Sequence, residues 1–277
     1  MNKIGKLIGL LLALCAILCG CGEAASEASP ATETTVPTEA TTEAPTQPPI
    51  TSEEALRQAM ETEHWITMDG DISLTAEVLL GTRMFNGGGY TLTGMPHVKD
   101  DETTENALVV TGGSIEDLRI TGAYCCVRDT SEYPIMQDLR IKNLYADSDK
   151  IALTISKGNR TAALFVEDST LLGWTLVNKL RTAQFTNCTF GWSTNNSGGH
   201  FRAYVDSTLI GCRFEGRTKN NGDYVPFNIS FYSSTSGVTV TLEDCYVGDT
   251  LITEENMHTL LKINDSDNYV RVYNTTN

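Results

Sequence analysis

Six short segments between residues 115 and 248 share one alternating register, and that repetition rules out most folds open to a chain of 277 residues. They read Ile115-Glu-Asp-Leu-Arg-Ile-Thr-Gly122, Met136-Gln-Asp-Leu-Arg-Ile-Lys-Asn143, Val166-Glu-Asp-Ser-Thr-Leu-Leu-Gly173, Phe185-Thr-Asn-Cys-Thr-Phe-Gly191, Leu209-Ile-Gly-Cys-Arg-Phe-Glu-Gly216 and Leu242-Glu-Asp-Cys-Tyr-Val-Gly248. A turn-forming residue anchors each one, at Asp117, Asp138, Asp168, Asn187, Gly211 and Asp244, in steps of 21, 30, 19, 24 and 33 residues. After the anchor the apolar residues alternate: Leu118 and Ile120, Leu139 and Ile141, Cys188 and Phe190, Cys212 and Phe214, Cys245 and Val247. A period of two marks strands, and units of this size with loops of unequal length predict an all-β solenoid.

Stacked strands lie ~4.8 Å apart, so equivalent residues form ladders. Cys188, Cys212 and Cys245 then make an inward ladder beside Phe190, Phe214 and Val247. A free cysteine packs as a small hydrophobe, so these three are expected to fill the core. Cys125 and Cys126 are adjacent, and alternation places them on opposite faces of a strand; no role is assigned to them.

The pattern resembles the right-handed parallel β-helix of the pectate-lyase-like superfamily over residues 65–250. The opening stretch, Asp71-Ile-Ser-Leu-Thr75 with Asn86-Gly-Gly-Gly-Tyr-Thr-Leu-Thr-Gly94, resembles the first coil of that superfamily's secreted members. A solenoid needs caps. Thr51-Ser-Glu-Glu54 reads as a capping box opening an N-terminal helix whose face is Ala55, Leu56, Ala59 and Met60. A short helix over 253–263 and a last strand over 269–273 read as a small C-terminal cap.

The resemblance raises the question of catalysis on polysaccharides. Polygalacturonase-like members carry an Arg-Ile-Lys, and Arg140-Ile141-Lys142 matches it literally. Arg119-Ile120-Thr121, however, is expected to hold the same register one repeat earlier, so the repeat itself generates the match. Lyase-like members use calcium held by carboxylates. Asp117, Asp138, Asp168 and Asp244 would line up on stacking, where like charges repel unless hydrated or bridged. Such a ladder could bind calcium weakly; no resident cofactor or metal site is expected. Catalytic residues are left unassigned, and a polysaccharide lyase or glycoside hydrolase is the alternative reading.

Aromatic residues supply the other candidate. Trp174 follows Gly173 and Trp192 follows Gly191, which places both just past the same corner of successive repeats. With Tyr204, His200 and Arg202 they form a candidate ligand-binding stripe suited to stacking on sugar rings. The opposing reading packs both indoles under the 194–200 loop.

The N-terminus supplies an address. Lys3 and Lys6 precede an apolar run of 12 residues from Leu7 to Leu18, short of the ~20 needed to span a bilayer. Leu18-Cys19-Gly20-Cys21 resembles a bacterial lipoprotein lipobox, which implies a signal peptide over 1–20, cleavage before Cys21 and lipidation of its sulfur. Residues 21–50 are rich in Thr, Glu and Pro and read as a disordered tether, leaving 51–277 as the β-helix domain with its caps. The chain carries 20 basic and 35 acidic residues, a balance that argues against nucleic acid as a partner. The expected protein is an extracytoplasmic, membrane-anchored lipoprotein at the bacterial cell surface, displaying its domain for binding or adhesion to a glycan, an envelope component or a host protein.

Overall fold

Parallel pairing in fixed register organises the chain. The computed structural model describes residues 48–95, 106–195, 198–232, 236–264 and 267–275. Cys21, the signal peptide and nearly all of the tether lie outside these residues. The described fold is all-β and dominated by strands.

Each repeat contributes residues to three ladders. In the first, Ile66, Phe85, Ile115, Ile141, Val166, Phe185, Leu209, Leu242 and Val272 stand opposite one another in turn. In the second the order is Ile72, Leu92, Ile120, Ala146, Leu171, Phe190, Phe214 and Val247. In the third it is Val78, Leu108, Val127, Leu153, Thr175, Phe201, Ile229 and Ile263. Nearly every one of these side chains is buried. The rings of Phe190 and Phe214 stack at 5.5 Å with 17° between their planes. Two short antiparallel pairs stand apart from this scheme, Arg217–Thr218 with Tyr224–Val225 and Tyr246–Val247 with Thr250–Leu251.

The first and second ladders meet at a left-handed residue. Asp117, Asn143, Asp168, Asn187, Gly211 and Asp244 have φ of 49°, 51°, 49°, 53°, 62° and 48°. Asp and Asn tolerate this region because their short polar side chains bond locally, and Gly has no Cβ to clash. Five of the six expected anchors are therefore correct and one is not. Leu118 pairs with Leu144, which makes Asn143 the equivalent of Asp117, whereas Leu139 pairs with Gly113. Asp138 lies five residues early, outside the corner ladder, and accepts instead from the Ala163 amide at 2.8 Å. The corrected steps are 26, 25, 19, 24 and 33 residues. The same shift removes the equivalence of the two Arg-Ile motifs, since Arg140 pairs with Ser114 and Arg119 with Tyr145.

The corner ladder also resolves the repulsion expected of stacked carboxylates. Asparagines interleave with the aspartates: Asn143 Nδ2 donates to Asp117 Oδ1 at 2.7 Å, and Asn187 Nδ2 to Asp168 Oδ1 at 3.2 Å. At the next rung a Cβ on residue 211 would sit 2.7 Å from Asn187 Oδ1, so glycine fits there on space as well as on φ.

Behind four of the six corners stands a small inward donor; behind Asp117 and Asn143 the place is taken by Leu118 and Leu144. Ser169 Oγ donates to the Glu167 carbonyl at 2.7 Å, and the thiols of Cys188, Cys212 and Cys245 donate to the carbonyls of Thr186, Ile210 and Glu243 at 3.4, 3.5 and 3.5 Å. In every case the acceptor lies two residues back, across the left-handed corner. The cysteines fill the core as expected, and each adds a weak second donor to a carbonyl that already accepts a backbone amide, Thr186 from Asp168, Ile210 from Asn187 and Glu243 from Gly211.

The ends are closed unequally. The helix Glu53–Thr62 buries Leu56, Ala59 and Met60. Its N-cap is Ser52, which accepts from the Ala55 amide, so the residue three positions on is Ala55 and there is no reciprocal capping box. Glu53 bonds Arg57 and also the amide and hydroxyl of Thr75, tying the helix to the sheet. At the far end the second helix is only Met257–Leu260 and buries no residue; Lys262 and Ile263, expected as its last residues, belong to the strand Lys262–Asn264. Val205, Val238, Val247, Met257, Leu260, Ile263 and Val270 are partly buried against the core, all in the last third of the chain.

Replacing Asn143 with Ala should destabilise the fold by ~1–2 kcal/mol through the left-handed backbone and the lost bond to Asp117. Asp138→Ala should cost less than half as much. Urea unfolding of both variants measures the difference, and equal losses would contradict the corrected register.

Candidate functional site

The outer face of the third ladder collects the residues that sequence spacing singled out, together with several it missed. Trp174, His200, Asn228 and Lys262 stand opposite one another in successive rungs, and Leu176, Arg202, Ser230 and Asn264 form the next row. Strand alternation explains the grouping: Thr175, Phe201, Ile229 and Ile263 take the inward positions, so their neighbours on either side point out.

Trp174 and Trp192 do not form a shared stripe. Leu172 pairs with Gly191, so the two Gly-Trp dipeptides are out of step, and the residue opposite Trp174 is His200. Both indoles are half-buried. A Cβ on Gly198 would lie 2.1 Å from Trp174 Nε1 and one on Gly199 2.8 Å from Trp192 Cδ1, so only glycines fit against these rings. The start of that loop is fixed in turn, because Asp147 accepts from the amide and hydroxyl of Thr194 and Asp149 from the Asn195 amide group.

Cations occupy what remains of the aromatic surface. Arg202 Cζ and Lys150 Nζ lie 5.4 and 5.6 Å from the Trp174 ring centroid, and His200 meets it edge-on at 5.3 Å. Arg217 lies over Trp192 at 4.2 Å. In a chain with a charge of −15 this is a local concentration of positive charge. Tyr204 stacks on Tyr232 at 4.9 Å, and Tyr232 is 45% exposed.

His200 and Ser230 are buried and bonded to each other through Nε2 and Oγ. Asn228 Nδ2 also approaches His200 Nε2, at 3.5 Å. Donors converge on that nitrogen, which assigns the ring proton to Nδ1. Burial, with Arg202 and Lys262 nearby, pushes the imidazole down to about 4, so it is neutral at physiological pH. Trp192 Nε1, Arg202 Nε and Asn228 Oδ1 are buried and have no hydrogen-bond partner among the described residues. They leave two donors and one acceptor unpaired, and Arg202 and Asn228 lie on adjacent rungs of the face that carries Lys262. Such a set recognises hydroxyl or acidic groups.

The other expected residues fall elsewhere. The corner aspartates already have partners: Asp117 and Asp168 accept from asparagines of their own ladder, and Asp244 accepts from Thr275. Among the described residues no group of three or more His, Cys, Asp or Glu is placed to hold a metal ion. Cys126 joins the core; Cys125 lies opposite Asn106 and Ile151, and burial raises its thiol to about 12. Sequence reasoning missed Asn228, Ser230 and Lys262, which arrive from repeats 26 to 60 residues beyond Arg202. Comparison with protein-family models, with curated proteins and with solved structures found no match.

His200 carries a pH signature. The unfolded chain takes up a proton there near pH 6.5, and the folded chain does so only near 4. Its contribution is therefore complete above 6.5 and is lost as pH falls toward 4, by ~2–3 kcal/mol. Urea midpoints at pH 7 and pH 4.5 should drop less in His200→Gln than in wild type. An equal drop would contradict the buried neutral imidazole.

Proposed function

We propose that this chain is a lipid-anchored, extracytoplasmic binding module. In this reading Cys21 carries the lipid, residues 21–50 hold the domain away from the membrane, and residues 51–277 wind as a right-handed parallel β-helix. The ligand class is carbohydrate, from the envelope or a host surface, and it binds on the third-ladder face around Arg202. The observation that carries this reading is the pair of unpaired buried polar atoms Arg202 Nε and Asn228 Oδ1 on the face that carries Trp174 and Lys262, with Lys150 at the Trp174 ring; Trp192 Nε1 is a third unpaired atom, under the glycine that precedes His200. Groups left unpaired by their own fold gain most from a hydroxyl-rich partner that completes them. The aromatic rings serve mainly as walls, because glycines and cations cover them.

Glycan-array signal should fall at least about tenfold in an Arg202→Ala/Asn228→Ala variant whose thermal midpoint is within a few degrees of wild type, the size expected for losing one or two such bonds. Undiminished binding would remove this face from the reading. The anchor is tested separately. Cys21→Ala should move the protein from the detergent phase to the aqueous phase in a Triton X-114 partition, and detergent-phase recovery of that variant would contradict lipidation at this sulfur.

A further inference from the structure

Cys188, Cys212 and Cys245 occupy equivalent positions on three consecutive repeats, because Thr189, Arg213 and Tyr246, the residues that follow them, stand opposite one another. All three are buried. The neighbouring thiols of Cys188 and Cys245, together with burial, raise the pKa of Cys212 far above the ordinary thiol range. Each sulfur also lies 3.2–3.5 Å from a carbonyl of the preceding repeat, Val166 for Cys188, Phe185 for Cys212 and Leu209 for Cys245, which competes for its single proton. The stack is thus a continuous column of sulfur with Cys212 at its centre.

Rung spacing in a parallel sheet is ~4.8 Å, inside the Cα separation of 4.4–6.8 Å that a disulfide spans. Two rungs amount to ~9.6 Å, beyond any bridge. We propose that this column is an oxidation site at which Cys212 forms one disulfide, with either Cys188 or Cys245, leaving the third cysteine reduced. Two S–H bonds break and one S–S bond forms. The two electrons and two protons pass to a disulfide-bearing oxidant, which leaves as two thiols. Buried protonated thiols are poor nucleophiles, so the exchange occurs while these repeats are folding or transiently open. The product staples neighbouring repeats across a corner, independently of what the third-ladder face binds.

Trypsin separates the three cysteines into peptides 182–202, 203–213 and 220–262, which makes the bridge directly readable. The full chain is unfolded, refolded with oxidised glutathione, alkylated, digested without reduction and mapped by mass spectrometry. Wild type should give 203–213 linked to one of its two neighbours, two hydrogen masses below the sum of the parts. Cys188→Ser should give only the link to 220–262, and Cys245→Ser only the link to 182–202. Cys212→Ser should give neither. Serine already stands at the equivalent position, as Ser169, so these variants keep the donor the corner uses. Circular dichroism checks that each one folds. Three reduced thiols in folded wild type after this treatment would overturn the proposal, as would a link between Cys188 and Cys245.

Discussion

The left-handed corner is the constraint on which the rest of the structure depends. A single residue with φ near +50° turns the chain from the first ladder into the second, and it does so at Asp117, Asn143, Asp168, Asn187, Gly211 and Asp244. Only Asn, Asp and Gly take that conformation at low cost. The residue after the turn points inward, as Leu118 and Leu144 at two corners and as Ser169, Cys188, Cys212 and Cys245 at four, where its hydroxyl or thiol donates to the carbonyl just before the turn. It also stacks side chains whose charges would repel, and asparagines placed between aspartates convert that repulsion into hydrogen bonds. With the corner fixed, alternation decides which residues enter the core and which face out. The column of Phe185, Leu209 and Leu242 follows from the corner, and so does the outward position of Arg202 on its strand.

Much of this pattern can be read in the amino-acid sequence, and the one misplaced repeat shows where such reading stops. Asp117-Leu-Arg-Ile120 and Asp138-Leu-Arg-Ile141 are identical tetrapeptides, yet they sit five residues out of step. Local identity favours aligning them; the backbone aligns Asp117 with Asn143. The physical clue lay in the continuation, since Leu144 and Ala146 follow Asn143 with the same alternation that Leu118 and Ile120 show after Asp117. The turn residue of this repeat, Asn143, lies inside the long strand Leu139–Ile155, where the identical tetrapeptide five residues earlier draws attention from it.

The candidate site was legible in part, for a different reason. Trp174, His200 and Arg202 do belong to one face, which follows from strand alternation once register is known. Trp192 reaches the same neighbourhood through a loop, and the close seating of Gly198 and Gly199 on the two indoles is not written in any period. Asn228, Ser230 and Lys262 come from later repeats, and unequal loop lengths conceal their alignment with His200 and Arg202 from any fixed spacing. Repeat proteins place function on such composite faces because every rung contributes one or two outward side chains.

Register is the central claim, and interstrand nuclear Overhauser contacts test it most directly. Backbone and side-chain contacts around residue 144 should run to Leu118 on one side and Ser169 on the other, with the Asn143 side-chain amide close to Asp117. Contacts that place Asp138 beside Asp117, with Leu139 against Leu118, would contradict the corner ladder and the assignment of faces built on it.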